Sequence, residues 1–301
     1  MTGACATAAS WAPAKGNLTL RVLGQRGDGY HLIESLMVPV SLCDRVELRV
    51  EPGDGAITCN VDGPEEAPNG EENLAACAAR RVLEELHTAV DIEVRVTKHI
   101  PAAAGLGGGS SDAAAVLRTL PGMLGRTFRP LRLAEIAVGI GADVPFFLTC
   151  RPSVAMGIGE ILVPVPRFPE MSLVVAVPNV QVSTKWAYGN ALPPIGTLTS
   201  RDAATTRSLR LRLKREPITA LLSNDFQAGV TAAFPEVQRL KGKLESLGAE
   251  ATVMSGSGSA VVGVFRSGRR AEQAAAAVTG PDRAYAVRVL RRRPAVDDDG
   301  R

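Results

Sequence analysis

Apolar and polar positions recur along this chain with two periods, and the switches between them outline its elements. In Leu18–Gln25 (LTLRVLGQ) apolar and polar residues alternate over the first half, as along a strand with one buried face. Gly27 and Gly29 flank Asp28 in a turn, after which SLMVPVSLCDRVELRVEP is again strand-like. The stretch DIEVRVTKHIP puts Ile92, Val94 and Val96 on one face. Between these strands, Leu74, Ala78, Val82 and Leu86 recur at helical spacing behind Asn73, a suitable N-cap. DAAAVLRTLPGML predicts a helix from near Asp112 to a break at Pro121-Gly122, and LRLAEIAVGIG a second helix ending in glycines. In the second half, MSLVVAVPN has the continuous apolar character of a buried strand. TAAFPEVQRLKGKLESLG predicts a helix with Pro235 near its start and Gly248 at its end. EATVMSGSGSAVVGVF reads as strand, glycine-serine turn, strand, followed by a helix in AEQAAAAVTG and a strand in AYAVRVL. Strands and helices mix without a strict βαβ repeat, so the fold class expected is α+β.

Composition narrows this picture. With 301 residues, 46% hydrophobic and 22% charged, the chain has room for two ordinary domains. The interruption TCRPS puts their boundary near Cys150–Ser153, giving residues 1–152, 153–290 and a solvated, disordered tail at 291–301 that holds Arg291–Arg293 and Asp297–Asp299. A net charge of +3 carries no concentrated basic face, which argues against a nucleic-acid partner. Five scattered cysteines, without a CxxC pair or a histidine at ligand spacing, argue against zinc and for reduced thiols. The start MTGACATAAS lacks a signal-peptide pattern, and no apolar run reaches the ~18 residues that span a bilayer. The expectation is a cytoplasmic protein with no membrane partner.

The chemistry concentrates in IPAAAGLGGGSSDAAAVLRTL. Gly105, Gly107, Gly108 and Gly109 stand between a strand ending near Ile100 and the following helix. A helix start offers unpaired N–H groups and the positive end of its dipole, and glycines let the main chain curl around an anion. Ser110 and Ser111 can add hydroxyl donors or magnesium contacts, and Asp112 can cap the helix. The loop lacks the Gly-Lys-Ser/Thr ending of a P-loop, and Ser110 occupies the last glycine position of G-x-G-x-x-G. A plain glycine linker would not run straight into a tightly apolar helix.

PAAAGLGGGSSDAAA resembles the phosphate-binding motif of the GHMP small-molecule kinases, which include galactokinase, homoserine kinase, mevalonate kinase and phosphomevalonate kinase. APAKGNLTLRV, GDGYHLIESLMVPVSLCD, GADVPFFL, MGIGE and VMSGSGSAVVGVF follow the family's order over roughly residues 12 to 265. Residues 1–11, the chain beyond Leu290 and the basic stretch 197–217 have no such counterpart. The resemblance implies a two-domain GHMP-kinase fold, with the active site in the cleft between an N-terminal ATP-binding domain and a C-terminal domain. It implies ATP and Mg2+ as cofactors, with Pro101, Ala102, Ala103, Ala104, Gly105, Leu106, Gly107, Gly108, Gly109, Ser110 and Ser111 around the nucleotide; metal ligands are left unassigned.

The same resemblance assigns the reacting groups. Lys15 and Asp143 are lone charges in apolar surroundings, each by itself more often a surface charge than a catalyst. On positions matching the family's pair, Asp143 is expected to take the proton of the acceptor hydroxyl, with Lys15 orienting it and stabilising charge on the transferring phosphate. DGYH and GADVPFF point to the branch whose acceptor is a cytidine diphosphate alcohol of non-mevalonate isoprenoid synthesis, phosphorylated on its 2-hydroxyl. Tyr30 is expected to stack on the base and His31 to bond its edge, with Tyr188 on the other face and Thr184 and Asn17 as polar contacts; His87 and His99 take structural roles. The protein is expected to work as a monomer or weak homodimer. A GHMP kinase for a small aliphatic alcohol and a non-catalytic sensor of the same fold stand as alternatives. An acceptor without a base would leave Tyr30 and Tyr188 idle, and a sensor would have lost Lys15 or Asp143.

Overall fold

The computed structural model describes residues 5–65, 67–192, 205–292, 294 and 296–297. The chain opens with two long antiparallel strands, β1 (Ala6–Gln25) and β2 (His31–Glu51), joined by the Gly27–Gly29 turn. β3 (Ile57–Asp62), α1 (Leu74–Leu86), β4 (Asp91–Thr97), α2 (Gly108–Met123), α3 (Pro130–Ile140) and α4 (Val144–Thr149) follow. Next come β5 (Ser153–Gly157), β6 (Ile161–Pro164), β7 (Ser172–Val177), α5 (Thr184–Asn190), α6 (Thr205–Arg212) and β8 (Ser223–Asn224). α7 (Gln227–Ala233), α8 (Pro235–Ser246), β9 (Ala251–Met254), β10 (Val261–Phe265), α9 (Gly268–Ala276), β11 (Arg283–Arg288) and β12 (Val296–Asp297) complete the order.

Two sheets result. An eight-stranded sheet runs β12-β1-β2-β4-β3, with β5 and β6 continuing from β2 and β8 lying parallel to β1; a four-stranded sheet runs β11-β7-β10-β9. β2 is shared lengthwise, Ile33–Met37 pairing with β5 and Arg45–Glu51 with β4. Helices α1 to α4 cover the β4 half of the large sheet around a core that includes Val82, Val94, Leu117, Phe146 and Phe147. A second core fills the space between the sheets, from Leu18, Leu36 and Val38 on one side to Val175, Val262 and Val264 on the other. The outer face of the small sheet packs Val174, Ala176 and Val261 against Val237, Leu240 and Leu244 of α8. β7 is therefore apolar throughout because both its faces are buried.

Several boundaries differ from expectation. α2 starts at Gly108 rather than near Asp112, and Asp112 is a buried side chain inside it rather than a cap. Pro121 lies within its last turns instead of ending it, where the missing N–H interrupts little; Leu124 N still bonds Leu120 O at 3.2 Å. Thr231–Ala233 belong to α7, and the proline at the first position of α8 starts a separate helix. The N-terminal segment without a family counterpart contributes the start of β1, Ala6–Trp11. The expected division after residue 152 falls next to a hairpin, residues 153–164, that still pairs with β2. Of the expected tail, residues 293, 295 and 298–301 lie outside the described residues, and Val296–Asp297 pairs with Ser10 and Ala9. In the basic stretch, residues 197–204 also lie outside them, while 205–212 form α6. Asn73 caps α1 as expected, its side chain accepting from Ala75 N at 2.8 Å, and His87 closes the same helix in the left-handed conformation.

Candidate active site

The glycine loop joins β4 to α2, and three successive carbonyls tie it to the rest of the protein. Ala104 O accepts from Ala260 N at 3.1 Å, Gly105 O from Ser255 Oγ at 3.1 Å and Leu106 O from Lys15 N at 2.9 Å. Ile100, Ala104 and Leu106 are buried in the core between the sheets. The first hydrogen bond of α2 is Ser111 N to Gly107 O, 2.9 Å, so the N–H groups ahead of it have no partner within the helix. Two glycines are required here by space as well as conformation. Gly105 (φ 75°) lies so close to the Ser255 carbonyl that a Cβ would collide with it, and one on Gly107 (φ 72°) would come 2.9 Å from the Phe147 ring. The helix head is thus held open as a seat for an anion.

Lys15 reaches this seat through a β-bulge. The β1–β2 register shifts between Pro13 and Lys15, opposite Pro39, where two prolines leave the ladder short of donors. The Lys15 side chain, 5% exposed, places Nζ 3.6 Å from Asp143 Oδ2 and donates to Asn17 Oδ1. Asn17 Nδ2 donates to Ser35 Oγ (2.7 Å), which donates to Thr19 O (2.5 Å), while Asn17 N donates to Ser255 Oγ (3.1 Å). This chain of polar side chains fixes the amide and hence the ammonium. Asp143 stands at the N-cap position of α4, yet its carboxylate makes no capping hydrogen bond and is 36% exposed. It remains available to a reactant.

At the other end, the His31 and Tyr188 rings lie 4.8 Å apart at 32°, and Phe226 meets Tyr188 edge-on at 4.8 Å. No base fits between rings that close, so His31 can meet an edge of a base but not share it face-to-face with Tyr188. Tyr30, 58% exposed, stands at the rim. Burial, with the Asp143 carboxylate adding to it, pushes the Tyr188 phenol up to about 12 and keeps it a neutral donor. Thr184 Oγ1 lies 3.1 Å from Ser257 Oγ, tying α5 to the glycine-serine turn.

Lys15, Asn17, Asp143, Tyr30, His31, Thr184, Tyr188 and residues 101–110 line one cleft of about 870 Å3. A larger hollow of about 2200 Å3, between Trp11 and Arg288, contains none of these groups. The "GHMP kinases N terminal domain" matches residues 73–151 and the "GHMP kinases C terminal" model residues 204–282. The 4-diphosphocytidyl-2-C-methyl-D-erythritol kinase of Citrifermentans bemidjiense is 41% identical over 268 residues, 89% of this chain and 92% of that one. A solved 4-(cytidine 5'-diphospho)-2C-methyl-D-erythritol kinase superposes with a TM-score of 0.75 at 36% identity, covering 93% of this chain and 98% of its own. Homoserine kinase from Cytophaga hutchinsonii reaches a TM-score of 0.75 at 19% identity, covering 96% of this chain and 97% of its own, a likeness of fold alone. The chain belongs to the GHMP kinase family. It is a small-molecule kinase whose phosphate donor is ATP.

The expected site residues of this GHMP kinase converge with one exception. Ser111 is fully buried, its hydroxyl faces no hydrogen-bond partner, and it does not line the cleft. Of the two serines, only Ser110 lines the cleft. Other residues of the site went unnoticed in the sequence. Lys98 Nζ sits between Asp44 and Asp112, bonding Asp112 Oδ2 at 2.8 Å, and Asp44 Oδ1 accepts from His99 N (2.6 Å) and Ile100 N (2.8 Å) at the root of the glycine loop. The signal was present: Lys98 continues the inward phase of Ile92, Val94 and Val96, and a lysine on a buried phase needs a carboxylate. Phe226, fully buried behind Tyr188, and Asn224 carried no periodic signal at all.

Proposed function

We propose that this kinase transfers the γ-phosphoryl group of ATP to the 2-hydroxyl of 4-diphosphocytidyl-2-C-methyl-D-erythritol, a step of non-mevalonate isoprenoid precursor synthesis. The observation that carries the reading is the Lys15–Asp143 pair, 3.6 Å apart, in the same cleft as the glycine loop and the His31–Tyr188 pair. Asp143 takes the proton of the 2-hydroxyl, the oxygen forms its bond to the γ-phosphorus, and the bond to the bridging oxygen of ADP breaks. Lys15 steers the carboxylate and offsets charge developing on the transferring group. Residues 101–110 hold the phosphates at the head of α2. Tyr30 and Tyr188 take the faces of the cytosine and His31 its edge, with Asn17 and Thr184 as further polar contacts.

Among the described residues no three His, Cys, Asp or Glu converge into a metal cage. Mg2+ prefers oxygen donors, and the Ser110 hydroxyl and Asp143 carboxylate in the cleft are the side chains that would hold it. The ion would neutralise phosphate charge. The working unit in this reading is a monomer or weak homodimer, and a phosphate donor that is ATP supports a cytoplasmic setting.

Purified protein with ATP, Mg2+ and the cytidine alcohol should release ADP. Asp143→Asn should cut turnover by about 10²–10⁴-fold while nucleotide binding persists. Equal phosphorylation of mevalonate or homoserine would overturn the reading.

A further inference from the structure

The stretch Asn224-Asp225-Phe226 is pinned alongside β1. Asn224 pairs in parallel with Leu20, Asp225 N donates to Leu20 O at 3.0 Å, and Val22 N donates to Asp225 Oδ2 at 2.7 Å. From this anchored backbone the Asn224 amide makes three bonds. Its Nδ2 donates to Met254 O (2.7 Å) and Gly256 O (2.8 Å), and its Oδ1 accepts from Phe226 N (2.9 Å). Two carbonyls on one side and an N–H on the other admit a single orientation of the amide.

Two of these partners, Gly256 and Phe226, line the cleft. Gly256 presses against the reacting end: a Cβ on it would stand 3.2 Å from Gly105 O and 3.3 Å from both Lys15 Nζ and Asn17 Oδ1. Its main chain is the wall against which the Lys15 ammonium lies. Phe226 backs Tyr188 edge-on, and Tyr188 in turn meets His31. The Thr184–Ser257 hydroxyl contact also ties the turn to the aromatic end, but through α5, whereas the Asn224 amide ties it from the backbone pinned beside β1.

Resting on the cytidine-alcohol reading above, we propose that Asn224 is a positioning residue that sets the distance between the phosphoryl-transfer end and the base-binding end of the cleft. It acts through Gly256 on Lys15 and through Phe226 on Tyr188. Misplacement of reacting groups by about 1 Å can slow a transfer step by about a hundredfold.

Asn224→Asp keeps the acceptor for Phe226 N but turns two donors into acceptors facing carbonyls. Its kcat should fall about tenfold or more, with the KM for the cytidine alcohol within about threefold of wild type. Asn224→Ala removes both connections, so kcat should fall and that KM rise together. Leu240→Ala, a core truncation in α8 remote from the cleft, should lower the melting temperature without changing kcat of the folded protein. Loss of activity in the Asn224 variants that only tracks their unfolded fraction, or kcat within about twofold of wild type, overturns the inference. Should neither variant fold, the wild type answers: the Asn224 side-chain NH2 resonances should resist solvent exchange, and exchange at the rate of a free amide overturns it. Wild-type protein that does not phosphorylate the cytidine alcohol defeats the functional reading. Wild-type protein that does, beside unaltered Asn224 variants, defeats only this inference.

Discussion

Lys98 Nζ lies between the carboxylates of Asp44 and Asp112, and all three side chains are almost wholly buried. One ammonium cannot balance two carboxylates, and Asp112 Oδ1 has no hydrogen-bond partner. Burial, reinforced by the charge of Asp44 and opposed by Lys98, pushes the Asp112 carboxyl up to about 8. In the unfolded chain that carboxyl gives up its proton near its ordinary value of 3.8. Between these values the folded state holds a proton that the unfolded state has lost, so stability falls as pH rises from about 4 to about 8 and levels off above. Asp112→Asn removes the charge and leaves Lys98 paired with Asp44 alone. Urea denaturation at pH 5, 7 and 9 should show the two proteins converging at the acid end and the variant gaining at the alkaline end, with a slope difference of at most about 1.4 kcal/mol per pH unit. Parallel curves would show that Asp112 is ionised throughout.

At the scale of elements, the glycine-serine turn between β9 and β10 matters through what it holds. Ser255 Oγ accepts from Asn17 N and donates to Gly105 O, so one hydroxyl locks the glycine loop to β1 beside the lysine. Ser255→Ala leaves the buried Asn17 N–H without this partner and a half-buried carbonyl unpaired, a cost of about 1–3 kcal/mol. The same change frees the loop that seats the phosphates, so the KM for ATP should rise more than the KM for the acceptor. Denaturant melts and paired titrations check both, and an unchanged ATP KM would mean that the backbone bonds to Ala104 O and Leu106 O, with the burial of those residues, hold the loop without Ser255. What was legible in the sequence follows the same division. Period-2 alternation located β4, and a continuous apolar run located β7, because burial on one face or both writes itself into the pattern. The head of α2 falls outside the pattern because Gly108, Gly109 and Ser110 are poor helix formers, helical here behind a loop that tertiary bonds fix at Ala104, Gly105 and Leu106. Asn224 was invisible for a related reason: its partners lie about thirty residues away, and nothing local marks a residue whose role is set by distant carbonyls.

Over the whole molecule, the decisive fact is a core shared by both sheets. Leu18, Leu36 and Val38 of the large sheet pack with Val175, Val262, Val264 and Val287 of the small one, and Ile100, Ala104 and Leu106 of the glycine loop lie in the same cluster. Domains that unfold independently bury separate cores; a common core makes separation cost apolar area on both sides. The two halves expected from the sequence should therefore melt as one cooperative unit, and a nucleotide bound at the loop should stabilise all of it. Calorimetry should show a single transition with equal calorimetric and van't Hoff enthalpies, shifted as a whole by ATP analogue. At a hundredfold excess over Kd the shift corresponds to about 2.7 kcal/mol. Hydrogen exchange should slow together in β2 and in β10, although only the first sheet carries the loop. Two transitions, of which the analogue moves only one, would mean that the Leu36–Val262 packing does not couple the sheets and that the cleft closes between independent bodies.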